Sequence, residues 1–178
     1  MGAKLKAIFD KFFILGVWAV CTFTLPAFAQ TQQQQDRINQ VAQYLVTAPL
    51  CAWVGMELDE NLPKKAGAAF DAEMVSWGVS GEKANQLVNE ALSRHNEILR
   101  TDLNATAGAA KSAAQLKNLS KILHGYALTC VAAAKDPIFN ALIMLPEGYD
   151  LDAAVLAKAD EMLEPGGLAS WQTPRIRA

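Results

Sequence analysis

Cys51 and Cys130 are the two cysteines beyond the first 29 residues of this 178-residue chain, and a bond between them would constrain the fold more than any other feature. Whether they pair depends on what those first residues are. Lys4, Lys6 and Lys11 make a basic leader, Phe12 to Leu25 is an apolar run, and Ala27 and Ala29 stand three and one positions before a cut between Ala29 and Gln30. This is the three-part layout of a secretory signal over residues 1–29. The run is shorter than the roughly 20 apolar residues of a membrane span and has no basic stop beyond it, so no transmembrane helix is expected after cleavage. Cys21 follows Trp18, a bulky residue where lipoprotein processing wants a small one, and is expected to leave with the leader. The remaining pair reads as one disulfide in an oxidising compartment, the alternative being two buried free thiols. In the chain-entropy model, closing so long a loop stabilises by roughly 4 to 5 kcal/mol.

Cleavage removes three lysines and one aspartate, which leaves 13 basic and 17 acidic residues. A net negative chain without a clustered positive field excludes nucleic acid as the expected partner. The mature piece suits one domain, 26 of its residues are alanine, and no window alternates with a period of two. This composition favours helix. The expected fold is all-α: an irregular bundle of five or six helices over residues 30–167, one disulfide, and an extended tail over 168–178.

Helical periods run through the domain. Ile38, Val41, Ala42 and Leu45 share a face from Gln33 to Val46, and Ala48-Pro49 is expected to end that helix. Phe70, Met74 and Trp77 form a stripe over 66–77. Leu87, Val88, Ala91, His95, Ile98 and Leu99 form a broad face over 82–101, with Ser80 as a candidate cap. Leu116, Leu119, Leu123, Tyr126 and Cys130 alternate by three and four within a longer helix over 109–134, a seam that delivers Cys130 to the core side. Pro137 to Leu145 reads as a short apolar helix, and Asp150 caps a last helix that ends near Leu163.

The sequence offers little chemistry. Glu57 with Asp59 or Glu60 in "GMELDEN" is the nearest approach to a carboxylate pair, but an acidic loop of this kind is ordinarily a solvated one. His95 and Glu97 are two apart, which points their side chains away from each other on a helix. His124 beside Gly125 reads as a close helix contact. There is no Gly-x-Ser-x-Gly elbow, phosphate-binding glycine loop, His-Glu-x-x-His pair or Cys-x-x-Cys. No catalytic, cofactor-binding or metal-ligating residue is therefore assigned in this chain.

What remains is surface. Trp53 and Trp77 read as core residues, whereas Trp171 stands in the aperiodic tail with Pro174, Arg175 and Arg177. An aromatic anchor beside two arginines suits a segment that docks on a partner, the alternative being a disordered tail, and Trp171, Arg175 and Arg177 are the candidate partner-binding residues.

An exported chain with "AFA" before the cut, a helical mature domain, and Cys51 and Cys130 as its only cysteines resembles the small accessory subunit of the membrane-bound quinoprotein alcohol dehydrogenase of acetic acid bacteria. That resemblance implies a chain without redox centres, peripheral on the outer face of the cytoplasmic membrane. It would help the large subunit fold, persist and stay attached. The large quinohaemoprotein subunit would carry pyrroloquinoline quinone and haem c and oxidise ethanol, and a multihaem cytochrome c subunit would pass the electrons to ubiquinone. The competing readings are a free-standing periplasmic chaperone-like protein, an inhibitor or immunity protein acting through "MELDENLPKK", and a hydrolase using Glu57 or Asp59.

Overall fold

Helix α1 (Gln32–Trp53) buries Ile38, Val41, Ala42, Tyr44, Thr47, Ala48, Leu50 and Cys51 along one side. The computed structural model describes residues 30–104 and 112–164. The fold described lies in the unit that begins at Gln33. Pro49 does not end α1. Its ring deprives the Leu45 carbonyl of the N–H it would accept in a regular helix. The ladder nevertheless resumes beyond it, with Val54 N donating to Leu50 O at 2.9 Å. Buried Leu50 and Cys51 hold that extra turn against the core, and the gain in burial outweighs one lost hydrogen bond.

Gly55 stops the helix. At φ 93° it takes the left-handed conformation, Met56 N reaches back to Cys51 O and Gly55 N to Ala52 O, and Met56 turns into the core. The same device closes α2 (Leu62–Ser76), where Gly78 adopts φ 75° and Val79 N donates to Met74 O. Pro63 opens α2 at a position where its missing N–H costs nothing.

Helix α3 spans Gly81–Asn104. Ser112 then caps α4 (Ala113–Ala133) by accepting from Gln115 N, and Asp150 caps α5 (Leu151–Leu163) by accepting from Ala153 N at 3.0 Å. α5 packs chiefly along α4.

The segment after α4 departs from the expected short helix. It winds through turns about Asp136 and Phe139, then extends as β2 (Ile143–Met144). That strand pairs antiparallel with β1 (Glu57–Leu58), Glu57 opposite Met144 and Leu58 opposite Ile143, and Asp59 N adds a bond to Leu142 O. A helix would have spent those backbone groups internally. Pairing leaves Phe139, Leu142 and Ile143 buried instead.

The core draws on every helix and on the segment before α5. Ile38, Leu50, Met74, Leu119, Leu123, Phe139, Ile143 and Met162 are almost wholly out of solvent. Phe139 meets the edge of Tyr44 with ring centroids 5.4 Å apart. The expected all-α bundle is therefore observed, with five helices and one two-residue strand pair among the described residues.

Candidate functional site

The hydrophobic stripes of α1 and α4 meet at Cys51 and Cys130, both fully buried, with Cα atoms 5.5 Å apart and their sulfurs bonded. Fourteen residues before Cys51 on the same helix, the stripe gives way to a charged cluster around Arg37 that the sequence pattern did not reveal. Arg37 donates through Nε and Nη2 to Glu73 of α2 at 3.1 and 3.3 Å, and through Nη1 and Nη2 to Asp136 at 2.5 and 3.2 Å. Its Nη1 also reaches Gln40, whose amide donates to the Tyr44 hydroxyl. Burial works against the guanidinium, but Asp136 and Glu73 outweigh it and hold Arg37 above its ordinary value. Asp136 is also bound locally, since its Oδ1 accepts from Ile138 N. The cluster ties α1, α2 and the turn after α4 together, and its carboxylates are occupied in doing so.

A second cluster lies in a groove where α1, α3 and α4 meet. Gln43, Val46 and Thr47 come from α1, His95, Ile98 and Asp102 from α3, and Asn118 to Thr129 from one face of α4, around a cavity of about 500 Å³. Tyr126 donates to Asp102 Oδ2 at 2.6 Å, and Thr129 donates to the Gly125 carbonyl at 3.2 Å. Burial, and then Asp102, push the Tyr126 hydroxyl well above its ordinary value. Burial and the neighbouring Arg94 charge pull His95 below the usual histidine value, against a hydrogen bond to the Asn39 backbone. Thr47 Oγ1 and His95 Nε2 are buried without a hydrogen-bond partner. The α3 face is also narrower than its periodicity implied, because Ile98 is about half exposed (47 %) beside this groove.

The structure disperses the acidic loop. Asp59 accepts from Lys65 Nζ at 2.7 Å and from Asn61 N at 2.8 Å, and these bonds, Lys65 foremost, hold its carboxyl below the ordinary range. Glu57 is exposed in β1. His124 Nδ1 lies 3.1 Å from Asp152 Oδ1, joining α4 to the first turn of α5. Gly125 beside it makes no close helix contact: a Cβ there would find no heavy atom within 4 Å. Trp53 and Trp77 are half-buried at the rim of the core. The first lies beneath Lys158 Nζ, 5.2 Å from its ring, and the second is edge-on to Phe70 at 5.9 Å.

Ala29, Trp171, Arg175 and Arg177 lie outside the described residues, and Gln30 is the first within them. Among the described residues no cluster of three or more His, Cys, Asp or Glu side chains is placed to hold a metal ion. No helix among them is long and apolar enough to cross a membrane. No protein-family model, curated protein or solved structure matches this chain.

Proposed function

We propose that this chain is an exported accessory subunit that works by binding and stabilising a larger partner. The observation that carries this reading is the Cys51–Cys130 bridge in the core, a feature of proteins that mature in oxidising compartments. The use of Arg37, Glu73, Asp136, Asp59 and Lys65 in holding elements together supports it. So does a half-exposed set of large apolar side chains in the C-terminal half, Leu128, Met144, Leu145 and Leu156, which a partner surface would cover.

The format of the sequence assigns that partner to the membrane-bound quinoprotein alcohol dehydrogenase. Here the chain is the small subunit at the periplasmic face, and the ethanol chemistry, pyrroloquinoline quinone and haem c belong to the large quinohaemoprotein and the multihaem cytochrome c. The chain itself contributes no reacting group. Trp171, Arg175 and Arg177 in the tail provide an aromatic anchor and two charges for docking. Purification of the native chain from its own membranes in mild detergent, followed by mass spectrometry and a visible spectrum, tests this directly. Co-purifying haem c bands and a large quinoprotein are expected. A colourless monomer contradicts the assignment and favours a free-standing chaperone-like or inhibitor protein.

A further inference from the structure

The groove between α1, α3 and α4 has a composition that bracing the fold does not require. Its charged members are Asp102 and Lys121, one of each sign, and Val46, Ile98 and Ile122 supply apolar wall. The hydrogens of two of its hydroxyl groups are already spent. The Tyr126 hydroxyl donates to Asp102, and Thr129, three residues further along the same helix face, donates to the Gly125 carbonyl. What these groups have left to offer is lone pairs: those of the two hydroxyl oxygens and the remaining ones of the carboxylate. Three acceptor groups, one of them a carboxylate, match a primary ammonium, which has three donors and no acceptor. Lys121 stands five residues before Tyr126, about 7.5 Å back along the helix axis, and its flexible stem can bring a positive charge to the same space.

Gly125 supplies an independent observation. It lies in the interior of α4, where glycine is less favourable than alanine, yet no neighbouring atom excludes a Cβ. The space kept open by the missing side chain belongs to the groove. Two residues of the lining, Thr47 and His95, also carry buried polar atoms, Oγ1 and Nε2, that have no hydrogen-bond partner.

We propose that this groove binds a small zwitterionic amine of the amino-acid type, its ammonium at Asp102, Tyr126 and Thr129, its carboxylate at Lys121 and its apolar side chain against Val46, Ile98 and Ile122. A simple cation would meet Lys121 and a simple anion would meet Asp102. A zwitterion satisfies both. The volume of about 500 Å³ lies within the range of small-ligand sites. This inference is independent of the accessory-subunit reading.

The test is a titration of the isotopically labelled mature chain with L-leucine and L-phenylalanine, followed by amide NMR shifts. Saturable shifts at Gly125, Tyr126 and Thr129 are expected at millimolar ligand. Asp102→Asn retains an acceptor for Tyr126 and should weaken binding about ten-fold or more. Lys121→Met should weaken binding of L-phenylalanine while leaving L-phenylalaninamide unaffected, and N-acetyl-L-phenylalanine should not bind. Gly125→Leu, whose first carbon meets open space, should abolish the shifts in a protein that keeps its helical circular dichroism. Absence of saturable shifts with both amino acids, or shifts confined to another face, overturns the site. Equal binding of the N-acetyl compound overturns the ammonium assignment. Equal binding of the amide to the unsubstituted protein overturns the role of Lys121 and indicates recognition of a peptide N-terminus instead.

Discussion

Arg37 and Asp136 stand 99 residues apart in the chain, yet the guanidinium of the first makes two hydrogen bonds to the carboxylate of the second in a nearly closed environment. The side chain of Asp136 is 6 % exposed and that of Arg37 17 %, so removal of Arg37 strands a nearly buried carboxylate, and removal of Asp136 leaves Arg37 with Glu73 as its remaining charged partner in the cluster. Arg37→Met or Asp136→Ala should therefore lower the unfolding free energy by about 3 kcal/mol, measured by urea denaturation. The double substitution should cost less than the sum of the two. Losses below a few tenths of a kcal/mol for either single variant would show the cluster to be a solvated surface pair.

Cys51 and Cys130 should contribute on a similar scale for a different reason, because the bond restricts the unfolded chain. Reduction, or paired Cys51→Ser and Cys130→Ser substitution, should lower stability by roughly 2 to 5 kcal/mol. Identical melting of oxidised and reduced protein contradicts the account of the bridge.

Much of this framework was legible in the sequence, because helix periods and cysteine count are local or countable. The α4 stripe ending at Cys130 and the Asp150 cap appear where the pattern placed them. Pro49 misled because its local rule concerns one hydrogen bond, while the continuation of α1 is decided by burial of Leu50 and Cys51. The segment after Pro137 misled similarly: nine apolar-rich residues suit either a helix or a strand, and only β1, more than 80 residues earlier, selects the extended form at Ile143. Neither the Arg37 cluster nor the Tyr126–Asp102 pair has a sequence signal. Each is assembled from separate elements by the tertiary fold.

The three tyrosines give an alkaline signature. Tyr44, Tyr126 and Tyr149 are all held above the ordinary value of 10, burial being the largest cause in each. Between that value and the folded ones, the native protein retains protons that the unfolded chain releases. Stability is therefore full below pH 10 and falls as pH rises beyond it. Tyrosinate absorbance should appear together with loss of helical signal rather than before it. A tyrosine that ionises at its ordinary pH in a fully helical protein would contradict the packing described.

His95 gives the acidic counterpart. Its value is depressed below 6.5, burial leading, so the unfolded chain takes up a proton before the folded one does. The contribution is present above pH 6.5 and is lost as pH falls through that value towards the lower folded one. Melting temperature should decline over this window, and His95→Gln should remove that part of the decline while leaving carboxylate titration at lower pH. An unchanged profile in the variant would assign the decline elsewhere.

Export and oxidation to a single Cys51–Cys130 bridge are the central properties proposed for this chain. Intact-mass spectrometry of the native protein tests this in one measurement. The predicted species runs from Gln30 to Ala178, lacks the two hydrogens lost on joining Cys51 to Cys130, and gains them on reduction. A species that retains residues 1–29, or carries two free thiols before reduction, would contradict it.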